Sequence, residues 1–132
     1  MSTATYLGQS LSARVGEFIA LRRDIHANPE LGFEEHRTAA LVADKLRQWG
    51  YEVHTGIGGT GVVGRLQRGQ GTRRLGLRAD MDALPIQETG ARDWRSTRAG
   101  LMHACGHDGH TAMLLAAARQ IAEDGDFDGT LH

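Results

Sequence analysis

A chain of 132 residues, 40% hydrophobic and 23% charged, has the size and composition of one soluble globular domain. Its formal net charge of -1 at pH 7 gives no reason to expect nucleic acid or an anionic membrane as partner. No segment approaches the length of a membrane span, and the single cysteine excludes an internal disulfide. With no signal-peptide pattern in Met1-Ser2-Thr3-Ala4-Thr5, a cytoplasmic protein is the expectation.

Residues 1–10 are expected to form a flexible N-terminus and residues 11–132 one domain. Leu11 to His26 reads as a helix, with Leu11, Val15, Phe18, Ile19 and Ile25 at helical spacing and Arg22 breaking the stripe. Asn28-Pro29 ends it, because a residue before proline is driven out of the α region. Glu34 to Trp49 reads as a second helix, with Val42, Leu46 and Trp49 as its apolar stripe and Gly50 as its stop. Glu34 and Glu35 read as a solvated first turn, not as catalytic groups.

Tyr51–His54, Val62–Gln67 and Arg73–Ala79 are strand candidates. Gly69-Gln70-Gly71 suggests a hairpin between the last two, and Leu75 and Leu77 around Gly76 suggest that the third strand lies inside the sheet. Asp80 to Ala104 has no periodicity and reads as a long loop, a kind of segment that is often functional. A third helix spans Asp108 or Gly109 to Asp124, with Leu114, Ala118 and Ile121 on one face, and a strand begins near Leu131 after the Asp128-Gly129 turn. Helices alternating with strands give an α/β fold, with helices layered around a central mixed sheet.

Two segments carry chemistry. In Arg78-Ala79-Asp80-Met81-Asp82-Ala83-Leu84-Pro85, two carboxylates sit just past a strand, where open α/β sheets place their sites. In a turn both can converge on one cation; the plainer alternative is an acidic turn capped by Asp82. In His103-Ala104-Cys105-Gly106-His107-Asp108-Gly109-His110, three of the seven histidines and the only cysteine fall within eight residues. Thiolate and imidazole suit zinc and similar divalent ions, and Gly106 and Gly109 permit the turn that aims Cys105 and His107 at one ion. His110 is either a ligand or a packing residue of the helix, and Asp108 either a helix cap or an acceptor for an imidazole N–H. A helix cap with incidental histidines is the bland alternative for the whole cluster.

Gly56-Ile57-Gly58-Gly59-Thr60-Gly61 fits the dinucleotide pattern G-x-G-x-x-G, but strand residues follow it where that motif needs a helix. Glycines joining two strands explain it better.

The segments His26-Ala27-Asn28-Pro29-Glu30-Leu31-Gly32, Arg78 to Pro85 and His103 to Thr111, in this order, resemble the amidohydrolase branch of the aminoacylase and carboxypeptidase-like di-metal metallopeptidase family. That branch includes hippurate hydrolases, N-acetyl-diaminopimelate deacetylases and auxin–amino-acid conjugate hydrolases. The resemblance runs from Leu11 onward and implies an N-terminal portion of the catalytic domain, without the lid or dimerisation domain and the C-terminal part. It implies hydrolysis of the amide bond of N-acyl amino acids by two divalent ions, of zinc, manganese, nickel or cobalt. Cys105 and His107 match metal ligands, and Asp82 matches the acidic residue that supports a metal-bound histidine. Asp80 falls where other branches carry a metal-binding histidine.

The family's general-base glutamate belongs to a Glu-Glu pair after the strand near Gly129-Thr130-Leu131, beyond His132, so this chain alone is expected to be inactive. Its partners are then a small N-acyl amino acid and, through an exposed sheet edge, a second copy of itself. Two other readings stand beside this one. A non-catalytic metal-binding or interaction module would retain half of the site. A thiol hydrolase would use Cys105 as nucleophile and His107 or His110 as base.

Overall fold

The computed structural model describes residues 3–132, with the side chains of residues 3–10 left aside. Its elements in chain order are α1 (Thr3–Ala27), α2 (His36–Gln48), β1 (Glu52–Ile57), β2 (Gly61–Arg68), β3 (Arg74–Leu75), α3 (His107–Asp124) and β4 (Gly129–Leu131). The segment expected to be flexible, 1–10, lies outside the described residues at positions 1 and 2, and its backbone belongs to α1 from Thr3 onward.

Helix α1 buries Phe18 and Ile25, whereas Leu11, Val15 and Ile19 of the expected stripe are exposed. Its end follows the sequence logic: the Asn28 side chain donates to the Asp24 carbonyl at 2.8 Å, and Pro29 follows. Helix α2 starts at His36, two residues later than expected. Its first turn is satisfied from outside the helix. The buried Glu30 carboxylate accepts the backbone N–H of Arg37 at 2.9 Å and of Thr38 at 2.7 Å, and the Thr38 hydroxyl at 2.7 Å. A carboxylate there also complements the positive end of the helix dipole. Gly50, at φ +84°, takes the left-handed position that stops α2.

Glu35 corrects the expectation of a solvated turn. It is 8% exposed, and its Oε2 accepts the Thr60 hydroxyl at 2.6 Å. Thr60 comes from the β1–β2 turn, so a distant hairpin provides the partner that lets a carboxylate be buried.

The sheet is four-stranded and mixed, in the order β1-β2-β4-β3. Strands β1 and β2 form an antiparallel hairpin, turned by Gly58 and Gly59 at φ +61° and +111°, which is the role that displaced the dinucleotide motif. Strand β4 pairs antiparallel with β2 and parallel with β3. Two expectations are thereby corrected. Gly69-Gln70-Gly71 makes no hairpin between β2 and β3, because β4 lies between them. The third strand shrinks to Arg74–Leu75 and takes the sheet edge, with Leu75 and Leu77 exposed. Gly129 permits the β4 approach: a Cβ there would stand 2.6 Å from the Arg73 carbonyl oxygen.

The core joins both layers. Phe18 of α1, Leu46 of α2, Tyr51, Leu115 and Ala118 of α3 and Leu131 of β4 form one buried cluster. Tyr51 keeps its hydroxyl satisfied there by donating to the Ala118 carbonyl at 2.8 Å. No helix among the described residues is long and apolar enough to cross a membrane.

Candidate metal centre

After β3 the chain makes one more sheet-like bond, from the Leu77 N–H to the His132 carbonyl at 2.8 Å, and then leaves the sheet. Asp80 and Asp82 follow directly. Two anchors fix the segment: the Ala83 N–H donates to the Glu30 carbonyl at 2.7 Å, and Leu84 bridges Met102. The long segment between Asp80 and Ala104 thus has no helix, as the sequence suggested, and its two ends are tied together.

On the other side, Gly106 at φ +83° caps α3 and turns the chain so that His107 is the first helical residue. His110 lies one turn on, and the two rings stack with centroids 5.4 Å apart. The Thr111 hydroxyl donates to the Asp80 carbonyl at 2.9 Å, which docks the carboxylate segment on this first turn.

The His107 ring is held from one edge. Its Nδ1 lies 2.9 Å from Asp82 Oδ1 and 3.0 Å from the Asp82 carbonyl oxygen. Both partners are acceptors, so Nδ1 carries the proton and a neutral ring presents its lone pair at Nε2. Nε2 faces Asp80 Oδ2 at 3.5 Å, and Asp80 Oδ1 accepts from His110 Nδ1 at 2.7 Å. The hydrogen bond from His110 holds the Asp80 carboxyl below its ordinary pKa, and either histidine adds to the effect when it is protonated.

Asp80, His107 and His110 each offer a ligand atom, and these atoms lie within 4.8 Å of one another. One carboxylate and two imidazoles are a donor set for zinc and related divalent ions, with room for a further ligand. The sequence-predicted residues Asp80, Asp82, His107 and His110 therefore meet. Cys105 is an exposed free thiol outside that 4.8 Å group.

Asp108 faces the other way, into a second network that the sequence did not reveal. It is fully buried, and its Oδ2 lies 2.9 Å from His26 Nδ1 and 3.1 Å from Arg22 Nε. His26 Nε2 reaches Glu88 Oε1 at 3.2 Å, and Glu88 Oε2 accepts the Ser96 N–H at 2.7 Å. Burial pushes the Asp108 carboxyl up, but the bonds from His26 and the Gly109 N–H and the Arg22 charge together bring it below its ordinary value. His103, 4% exposed, has neither ring nitrogen hydrogen-bonded, and burial lowers its pKa, favouring the neutral ring. Of this network, only Asp108 was a candidate from sequence; no spacing rule links it to residues 82 positions upstream or 20 positions back along the chain.

Such a carboxylate–histidine cluster just past a sheet strand offers donors suited to a divalent ion, and the known proteins that the chain resembles include metal-binding peptidases. Residues 76–132 match the model of peptidase family M20/M25/M40. The chain is 55% identical over 117 residues to a hippurate hydrolase of Campylobacter jejuni, covering 89% of this chain and 30% of that protein. It is 48% identical over 107 residues to an N-acyl-L-amino acid amidohydrolase of Geobacillus stearothermophilus, covering 81% of this chain and 29% of that protein. The crystal structure of the Bacillus subtilis YXEP protein, a dinuclear metal-binding peptidase from the M20 family, superimposes with a TM-score of 0.83 at 36% identity, covering 91% of this chain and 34% of that one. Over most of its own length the chain is similar to members of the M20 peptidase family. It spans about a third of the length of these relatives.

Proposed function

We propose that the chain carries metal-binding residues of an amidohydrolase that cleaves the amide bond of N-acyl amino acids, in the cytoplasm. The observation that carries this reading is the placement of Asp80, His107 and His110 around one point, with Asp82 holding the far edge of the His107 ring. His107 and Asp80 would hold a divalent ion, with His110 beside them. Cys105, two residues before His107, would add its thiolate from the turn 103–106. The family's second ion would take ligands that this group does not supply. The ion, when bound, polarises an amide carbonyl and lowers the pKa of a coordinated water.

The protein groups have separate tasks. Asp82 keeps the His107 proton on Nδ1, so that Nε2 is free to coordinate. Asp80, kept ionised, supplies negative charge that a dication needs. Removing a proton from water and returning it to the leaving amine calls for a general base. The family resemblance assigns that task to a glutamate outside the Asp80, His107 and His110 group, and this group by itself is expected to bind metal without turnover.

The test is metal content together with hydrolysis of hippurate and N-acetyl amino acids by the 132-residue chain, before and after a chelator, with Cys105→Ser in parallel. Metal uptake without turnover supports the proposal. Turnover that disappears with chelator shows that the group and its ion suffice for catalysis and overturns the expected lack of turnover, and absence of metal uptake refutes the metal centre. The exposed β3 edge, with Leu75 and Leu77 uncovered, favours a second copy of the chain as partner in solution.

A further inference from the structure

Phe33 is, among the described residues, the one non-glycine residue with positive φ, at +66°. A phenylalanine in the left-handed region is strained by about 1–2 kcal/mol, and its aromatic ring gains nothing locally that offsets this. The ring is also 80% exposed, the most of any large hydrophobic side chain described. The strain is not the mark of a loose loop. Leu31 bridges Ala83 on one side, the Glu34 N–H donates to the Leu31 carbonyl at 2.9 Å, and Glu30 is tied to α2 on the other. The segment is tied down beside Phe33, and Phe33 itself stays exposed.

Phe33 shares one cavity with the Asp80 carboxylate of the metal group. Phe33 and Gly32 line a cavity of about 910 Å³ whose lining also includes Asp80, Asp82 and Thr111, and whose far wall is apolar, with Val62 and Leu114. A Cβ on Gly32 would sit 3.9 Å from the Asp82 carboxylate, so the step from Phe33 to the ring-holding aspartate is short. A strained, well-supported aromatic lining a cavity that joins carboxylates to apolar side chains is arranged to touch a small molecule with a charged end and an apolar end.

We infer that Phe33 is a specificity-determining residue that packs on the apolar acyl part of an N-acyl amino acid and favours an aromatic acyl group over a short aliphatic one. This rests on the N-acyl amino acid reading above. Face or edge contact with a benzoyl ring buries area that an acetyl group does not have.

The test uses the 132-residue chain with N-benzoylglycine and N-acetylglycine as probes, followed by amide chemical shifts, in the wild type, Phe33→Ala, Phe33→Leu and Phe33→Gly. N-benzoylglycine is expected to move the amides of Gly32, Asp80 and Thr111 at lower concentration than N-acetylglycine. Phe33→Ala is expected to weaken the benzoyl compound about tenfold with little change for the acetyl compound, and Phe33→Leu to restore part of the loss. Phe33→Gly is expected to lose the same preference while its thermal midpoint stays the same or rises, because glycine accepts the left-handed conformation. A lowered midpoint would assign Phe33 to packing and overturn the inference. So would equal binding of the two probes by wild type and Phe33→Ala, or no binding of either. A Co²⁺ titration of the same wild-type sample keeps the two readings apart: cobalt uptake without benzoyl preference sinks only the role of Phe33, and benzoyl preference without cobalt uptake sinks only the metal centre.

Discussion

Asp82 grips one edge of the His107 ring twice, with its carboxylate at 2.9 Å and its own carbonyl oxygen at 3.0 Å from Nδ1. Loss of the charged acceptor leaves the carbonyl to hold the ring but removes the group that makes the imidazole more basic. Asp82→Asn is expected to weaken binding of Zn²⁺ by about 10–100-fold while leaving the fold intact. Isothermal titration calorimetry at fixed pH measures it, and circular dichroism checks the fold. Unchanged affinity would mean that His107 is not a ligand through Nε2.

Cys105 is exposed, so its thiol is open to reagents in the folded chain. If the thiolate joins the metal group, saturating Zn²⁺ will slow alkylation of Cys105 by iodoacetamide at least tenfold, and EDTA will restore the rate. Mass spectrometry of the alkylated fraction over time reads this directly. The same rate with and without metal would leave Asp80, His107 and His110 as the whole of the protein's contribution.

His26 stands between two buried carboxylates, and both of its nitrogens are used. Its removal leaves Asp108 and Glu88 facing each other across a gap with Arg22 as the remaining cation of the pair to Asp108. His26→Ala is expected to cost about 3 kcal/mol of unfolding free energy, measured by urea denaturation. By contrast, Arg65→Ala removes an exposed, solvent-screened pair with Glu52 and is expected to cost much less. Equal costs for the two variants would show that the buried network is not a structural element of the fold.

Glu30 predicts a pH dependence. Burial pushes its carboxyl up, but the N–H groups of Arg37 and Thr38, the Thr38 hydroxyl and the Arg98 charge outweigh this and leave it below its ordinary 4.5. A carboxyl whose pKa is lower folded than unfolded adds stability that is complete above 4.5 and is lost as pH falls through the folded-state value. Wild type is therefore expected to lose stability below about pH 4.5 more steeply than Glu30→Gln, which itself is weaker near neutrality by about 2 kcal/mol through loss of charged hydrogen bonds. Thermal midpoints between pH 3 and 7 give both curves, and parallel curves would exclude Glu30 as a source of acid sensitivity.

The parts of the fold set by local chemistry were legible. Asn28-Pro29, Gly50 and the Gly58-Gly59 turn act on their own neighbours, and the structure uses each as the sequence suggests. The meeting of Asp80 and Asp82 with His107 and His110 was legible because residue type and motif order concentrate the chemistry. What stayed hidden depends on partners far along the chain. Glu35 is buried because Thr60 reaches it, His26 is engaged because Glu88 and Asp108 arrive from 62 and 82 residues away, and β3 is an edge because three residues of β4 take the place beside β2. A three-residue strand carries too little pattern to announce its register.

The parallel pairing of β3 with β4 also orders events in time. Asp80, Asp82, Cys105, His107 and His110 all lie on the excursion that leaves the sheet after Leu77 and returns at Gly129. That excursion closes only through contacts of high sequence separation, which form late and slowly relative to the local β1–β2 hairpin. An ion that prefers the assembled group therefore acts as a latch on this closure: it slows reopening and raises the apparent stability with its concentration. Hydrogen exchange in the last turns of α3 and in β4, away from His107 and His110, becomes a record of whether the latch is set.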